Sequence, residues 1–333
     1  MTFAILITTI IVAIAVILAG SALFTNGVEW LGKRLGVSDG VVGSVFAGVG
    51  TALPETVIPI IAIFFGDGPD RQAVGIGAIL GAPFMLSTLT LPLLGAGLLA
   101  FAALGRRPWT FKLDAAAVSI DLRFFLIAYT LAVASTMIDS KAVHVVVAVG
   151  LIALYVLYLK TIVGHAGEGH GEDLAPLYIA RRNPEPPMGL IAIQVVGGLG
   201  VIIWGAHLFV GTVQSVATMA AISPLLLSLL ITPVATELPE KLNSLLWIAQ
   251  KKDTLAVGNI TGAMVFQGTF PVAVGLIGTP WQLNAYGMVS AWLALIAGAV
   301  LYATMATRGT WRPSYLMAGA VLYVAFGIYV ANW

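Results

Sequence analysis

Residues 51–55 read TALPE and residues 236–240 read TELPE. Each copy sits inside a long apolar run, where a carboxylate is costly. Working outward, the first copy extends to GVGTALPETVIPIIAIFFGDGPDRQAVGIGAILGAPFM (48–85). The second extends to LLITPVATELPEKLNSLLWIAQKKDTLAVGNITGAMVF (229–266). Aligned on Thr-x-Leu-Pro-Glu and then on G-x-I-x-G, Gly77, Ile79 and Gly81 match Gly258, Ile260 and Gly262. The first copy holds a few extra residues in its GDGPDR turn, and a match of this length reads as an internal duplication.

The surroundings are those of a membrane protein. Of 333 residues, 59% are hydrophobic and 9% charged, whereas soluble domains carry about 25% charged residues. Apolar runs of about 20 residues point to spanning helices rather than the short alternating strands of a barrel. In hydrocarbon only these two structures satisfy every backbone polar group. The expected class is therefore an all-α integral membrane protein. There are no cysteines, so disulfides, thiol nucleophiles and cysteine-ligated metals are excluded. A net charge of +1 and the lack of a basic tail give no sign of nucleic-acid binding. The N-terminal run, without a basic leader region, reads as a retained first span.

Ten spans are expected, at 3–31, 40–65, 72–103, 121–138, 142–162, 188–216, 222–249, 254–279, 285–306 and 313–332. The long polar segment 164–187 divides a first five-helix repeat (1–163) from a second (188–333). Loops after odd-numbered spans hold Lys33, Arg34, Arg106, Arg107, Lys112, Arg123, Lys160, Arg181, Arg182, Lys251, Lys252, Arg308 and Arg312. Loops after even-numbered spans hold only Arg71 and Lys141. The positive-inside rule then makes the odd loops and the central linker cytoplasmic and puts both termini outside, in an inner (plasma) membrane. Because five is odd, the second repeat inserts upside down. Inverted repeats are the architecture of secondary transporters, with substrate bound near the midplane where the repeats meet.

Fifteen acids are present, and most, Asp121 and Asp253 among them, are read as lying in loops or at span ends. Glu29 reads as an interfacial partner of Lys33 and Arg34. Glu55, Glu237 and Glu240 cannot easily reach water. Glu55 follows the start of span 2 by about 15 residues, roughly 22 Å of helix, near or just past the middle of the membrane. A charge there costs a few kcal/mol and marks a cavity or an ion path. Pro54 and Pro239 each remove a helical hydrogen bond and free the carbonyl four residues earlier, that of Gly50 or Ala235. Carboxylates and freed carbonyls are the hard oxygen ligands that divalent cations such as Ca²⁺ favour. The G-x-I-x-G spacing allows close backbone approach and is expected to set span 3 against span 2 and span 8 against span 7.

The two segments resemble the α-repeats of the calcium/cation antiporter superfamily, which contains the sodium/calcium exchangers. That repeat reads approximately G-T-S-L-P-E, a turn, then G-N-x-x-G-S-N-I-F-N or -D. The resemblance implies that Glu55 and Glu240 coordinate the divalent cation and that Thr51 and Thr236 lend oxygens at the helix breaks. It also implies alternating access by sliding of spans 1 and 6, and no resident cofactor. The departures fall unevenly. The serine after Thr is Ala52 in the first copy and Glu237 in the second. The serines of G-S-N are Ala82 and Ala263, and the asparagines Pro83 and Met264. The closing polar residue is Leu86 in one copy and Gln267 in the other, and the asparagine of G-N is Ala78 in the first copy but Asn259 in the second. Hydroxyl and amide ligands expected at sodium sites are thus missing, and Gln267 is similar to the residue in the proton-coupled branch.

Glu237 has two readings. Three residues before Glu240, it is a ligand or proton carrier, since two carboxylates in a low-dielectric cavity cannot comfortably both ionise; or it pairs with Lys241. The expected function is exchange of Ca²⁺ against Na⁺ or H⁺ at a site of Glu55, Glu240, Thr51, Thr236, Glu237, Gln267 and the carbonyls of Gly50 and Ala235. Mg²⁺ or Mn²⁺ as substrate, or a degenerate cation-sensing membrane protein, are the alternatives. The linker residues His165, Glu168, His170, Glu172 and Asp173 read as a solvated loop, His144 and His207 as packed or interfacial side chains, and Trp30, Trp311 and Trp333 as an aromatic belt. No nucleotide-binding or hydrolase motif is present.

Overall fold

A computed structural model of the chain describes residues 3–35, 53–67, 70–165, 175–237, 244, 245 and 247–332. Among these, regular structure is helical throughout. The elements are α1 (Phe3–Arg34), α2 (Leu53–Ile60) running into a π-helical segment (Ile61–Phe65), and α3 (Arg71–Met85). A second π segment (Leu86–Thr90) joins α3 to α4 (Leu91–Ala103). They are followed by α5 (Ala115–Ala134), α6 (Lys141–His165), α7 (Met188–Ala220), α8 (Pro224–Thr236), α9 (Asp253–Gln267), α10 (Phe270–Gly278), α11 (Ala285–Arg308) and α12 (Pro313–Ala331). Among the described residues, eight stretches are long and apolar enough to cross a membrane, and Glu55–Phe65 and Pro224–Val234 are shorter apolar helices.

The start of α5 departs from expectation. Asp114 caps it, its carboxylate accepting from the N–H groups of Ala116 and Ala117 at 3.0 Å. The alanines that follow are the strongest helix formers, so the helix begins at Ala115 rather than 121. Asp121, read as a span-end residue, is therefore carried nearly two turns into the helix and buried. Asp253 is also buried, paired through both oxygens with the Arg107 guanidinium at 2.8 and 2.7 Å. Trp30 and Trp311 are not belt residues. Both are buried, with indole N–H groups donating to the carbonyls of Ala175 and Leu301. His144 is packed, 3.1 Å from the Ser135 carbonyl.

The helices form two apolar bodies. A large core joins α3–α6 and α8–α12. A second cluster consists of Leu6, Ile10, Ala13 and Ile17 of α1 and Ile202, Phe209 and Val213 of α7, packed on Val57, Ile58 and Ile61 of span 2 and Val74 and Ala78 of α3. The long helices α1 and α7 pack chiefly on each other. Other contacts come in pairs related by a shift of five spans: α4 on α12 and α10 on α6, α3 on α11 and α9 on α5.

The second part of the polar segment docks onto the α1–α7 pair. Asn26 and Trp30 donate to the Ala175 carbonyl. Asn26 Oδ1 accepts from the Tyr178 N–H and from Gln194 Nε2, and Gln194 Oε1 accepts from the Ile179 N–H. Arg34 donates to the Pro186 carbonyl. Each buried amide is answered, as buried polar groups require.

Candidate functional site

Glu55 stands in the first turn of α2 and is 3% exposed; Glu237 follows the last residue of α8 and is 2% exposed. Glu237 lies where the helix of span 7 ends. The helix of span 7 stops at Thr236, and the Glu237 N–H donates to the Pro233 carbonyl at 2.8 Å. α2 touches α8, α3 and α10, so span 2 meets elements of spans 3, 7 and 8 in one place. Gly50, Thr51 and Glu240 lie outside the described residues, as does Lys241, so neither reading of Glu237 is decided by its neighbour.

Thr236 is buried, and its hydroxyl donates to the Thr232 carbonyl at 2.9 Å. With the proton so engaged, Oγ1 presents lone pairs only. Two further hydroxyls line α8 at helical spacing: Ser228 donates to the Val74 carbonyl at 2.7 Å and meets Thr232 Oγ1 at 3.0 Å. Sequence reasoning passed over these because Ser and Thr in a spanning helix commonly bond their own backbone. The Ala235 backbone belongs to this helix, one residue before its end.

The G-x-I-x-G of α3 does not face span 2. A Cβ on Gly77 would stand 2.3 Å from the Leu225 carbonyl oxygen, and one on Gly81 2.2 Å from that of Leu229. These glycines bring α3 onto α8, across the two halves of the chain. The expected pairing of spans 2 and 3 is made elsewhere, through Gly75, whose Cβ would stand 2.5 Å from the Ile63 side chain.

Both repeats change helical form where the motif closes. In the first, Leu86 opens the π segment that carries buried Ser87, Thr88 and Thr90. In the second, Gln267 ends α9, and α10 starts afresh at Phe270. Gln267 is 1% exposed, and its Oε1 has no hydrogen-bond partner among the described residues. π bulges recur at functional sites, and an amide oxygen buried without a donor is a ready ligand for a cation or water. Asn259 donates to Ser244 Oγ at 3.1 Å, tying α9 to span 7 beyond its break. Its counterpart Ala78 cannot do so.

The sodium/calcium exchanger protein family model matches residues 5–164 and 190–332. The chain belongs to that family. It is thus a multi-pass membrane transporter of the antiporter type, and not an enzyme. It is 27% identical to the putative antiporter CaxA of Alkalimonas amylolytica over 96% of this chain and 97% of the relative. Its fold is similar to that of the H⁺/Ca²⁺ exchanger CAX, with a TM-score of 0.74, 17% identity, and 98% of this chain and 86% of that one covered. It is also similar to the sodium-calcium exchanger NCX_Mj, with a TM-score of 0.59, 21% identity, and 97% and 99% covered.

Proposed function

We propose that the protein exchanges a divalent cation, Ca²⁺ first among candidates, for protons at a site between spans 2, 3, 7 and 8. The observation that carries this is the pair of buried carboxyl groups, Glu55 in the first turn of α2 and Glu237 at the end of α8, in elements that touch. Glu55 and Glu240 bind the cation. Thr51, Thr236, Gln267 and the carbonyls of Gly50 and Ala235 complete an oxygen shell of the kind hard cations take. Protons are preferred to Na⁺ because the first repeat offers Ala52, Ala78, Ala82 and Leu86 where sodium ligands would stand. Glu237 adds a carboxyl that takes a proton when the cation leaves, since neighbouring carboxylates without a cation favour one neutral member.

The chain is read as ten spans in two inverted five-helix repeats, 1–163 and 188–333, joined by the linker 164–187. Contacts paired by a shift of five spans support this, as do the short helices Glu55–Phe65 and Pro224–Val234, the described parts of spans 2 and 7. On the charge count the termini lie outside the plasma membrane and the linker lies in the cytoplasm. Alternating access then comes from α1 and α7, a separately packed pair with the linker docked on it, sliding over the core.

Uptake of radioactive Ca²⁺ into vesicles holding the purified protein tests this, driven by an outward H⁺ gradient, an outward Na⁺ gradient, or neither. Uptake with the H⁺ gradient alone is expected. Uptake with Na⁺ alone reverses the coupling assignment. Failure of both gradients to move Ca²⁺, Mg²⁺ or Mn²⁺ overturns the exchanger reading and favours a cation sensor.

A further inference from the structure

Away from the glutamates, three helices build a second polar site. Asp121 of α5 is 3% exposed. Its Oδ1 accepts from the Tyr158 hydroxyl of α6 at 3.0 Å, and its Oδ2 from the Thr261 hydroxyl of α9 at 2.5 Å. Thr261 also lies 3.2 Å from the Val257 carbonyl, so one hydroxyl proton faces two acceptors. That geometry serves both charge states. Ionised, Asp121 accepts from Tyr158 and Thr261. Protonated, it donates from Oδ2 to Thr261, which then donates to the Val257 carbonyl, while Tyr158 continues to donate to Oδ1. No Lys, Arg or His side chain bonds Asp121 among the described residues.

The same helices carry a second tier in register. Asp114, His165 and Thr254 are each seven positions away from Asp121, Tyr158 and Thr261, about 10 Å along a helix, toward the end of the bundle. There Asp114 Oδ2 meets His165 Nε2 at 3.2 Å, and the Asp114 N–H donates to Thr254 Oγ1 at 3.0 Å. Asp114 and His165 are exposed, so protons reach this rim from water. Deeper along α5 and α9, the Tyr129 hydroxyl and Gln267 Oε1 are buried without partners among the described residues.

The fold does not require this polarity. Aligned on their N-caps, Asp114 and Asn284, α5 and α11 place Ala291 at the position of Asp121. The repeat alignment places Leu80 at that of Thr261. Leu80 packs against α11 beside Gly287, one turn from Ala291, so an apolar pair fills the equivalent contact.

We propose that Asp121 is a proton-binding site, separate from the glutamate site and filled through the Asp114–His165 rim. Its place in the transport cycle rests on the exchanger reading; its ability to bind a proton does not. Each proton taken up from water neutralises the carboxylate and returns to the same side or passes on with the next conformational change. The titratable groups on α5 and the helices packed against it are Asp114, Arg123 and Tyr129 at or on α5, Lys141, His144, Tyr155, Tyr158, Lys160 and His165 of α6, Asp253 of α9 (held by Arg107), and Tyr286, Tyr302 and Arg308 of α11.

Infrared difference spectra of the purified protein in lipid, stepped from alkaline to acidic buffer, read carboxyl protonation directly. The expected result is a carboxyl band absent from Asp121→Asn and from Asp121→Ala/Thr261→Leu, which copies the residue types of Ala291 and Leu80 at the equivalent positions, and retained in Glu55→Gln. Tyr158→Phe removes a donor to the ionised form and raises the midpoint of that band by about one to two pH units. In vesicles, Asp121→Asn is expected to flatten the pH dependence of cation uptake. If Asp121→Asn removes no band, or Tyr158→Phe leaves the midpoint unmoved, the proposal is overturned. Tyr158→Phe decides alone where the aspartate variants do not fold. Proton coupling and pH profile in Asp121→Asn equal to those of the unaltered protein overturn its place in the transport cycle. A protein that moves no divalent cation defeats the exchanger reading, while the infrared bands still decide Asp121.

Discussion

The two motif-bearing halves share a sequence pattern but not a chemistry. The first offers Glu55, but Ala78, Ala82 and Leu86 are buried where the exchanger repeat carries polar residues. The second places Asn259 and Gln267 at the positions of Ala78 and Leu86, keeps an alanine, Ala263, at that of Ala82, and sets Glu237 where the first has Ala52. The difference recurs farther out, where Asp121 of the first half meets Thr261 of the second, while at the equivalent positions Ala291 of the second half and Leu80 of the first are apolar. A duplicated fold needs both halves to pack, but it needs only one to carry a given ligand.

The sharpest break of this comparison is the pair Glu55→Gln and Glu240→Gln. Each is expected to abolish divalent uptake and binding, measured by flux and by titration calorimetry, because in the proposed site each half supplies one carboxylate to the same ion. Wild-type affinity in either would detach that half from the site. Next comes Glu237→Ala, which makes the second motif a copy of the first. It is expected to weaken apparent cation affinity on the order of tenfold, about 1.4 kcal/mol, and to change the number of protons moved per cation, read with a pH-sensitive dye in the vesicles. An unchanged proton count would return Glu237 to a structural role.

Stability changes follow. Arg107→Ala leaves the Asp253 carboxylate buried without its guanidinium and is expected to cost about 3–5 kcal/mol, seen as a lowered thermal midpoint in detergent. Gly81→Ala sets a methyl against the Leu229 carbonyl where α3 meets α8, at about 1–3 kcal/mol. The smallest effect separates the two caps. Hydrogen bonds from the Ala117 N–H and then from His165 hold the Asp114 carboxyl below its ordinary value, despite opposing desolvation. A lowered acid contributes stability above the ordinary carboxylate range and loses it as pH falls through the lowered value. Asn284 caps α11 without titrating. Asp114→Asn should therefore cost only a few tenths of a kcal/mol at neutral pH and remove this share of the acid sensitivity, measured as thermal midpoint against pH.

Much of the architecture was legible in the chain. Apolar runs mark most spans, and the repeated Thr-x-Leu-Pro-Glu with its G-x-I-x-G marks the family. What stayed hidden has local causes. Asp121 looks like a span terminus because hydropathy scores a carboxylate as water-facing, whereas its hydroxyl partners come from helices 37 and 140 positions away. Trp30 and Trp311 fit the belt pattern, yet each finds a carbonyl inside the protein. The glycines of α3 signal a close approach but not its partner, since backbone contact leaves no mark in the partner's sequence. Asn26 and Gln194 give no motif at all, as their bonds run mostly to main-chain groups.

The docking of α1 on α7 bears on how the chain is made. Chains emerge from the ribosome N-terminus first, so α1 enters the membrane long before its main partner exists. Its close-packed face must wait in lipid while the whole first half is laid down. The carbonyls that Asn26 and Trp30 hold belong to residue 175 and arrive just ahead of α7. The first helix synthesised is thus among the last to be seated. A chain arrested before residue 188 should leave α1 accessible to lipid-phase crosslinkers, and completion of α7 should close it off.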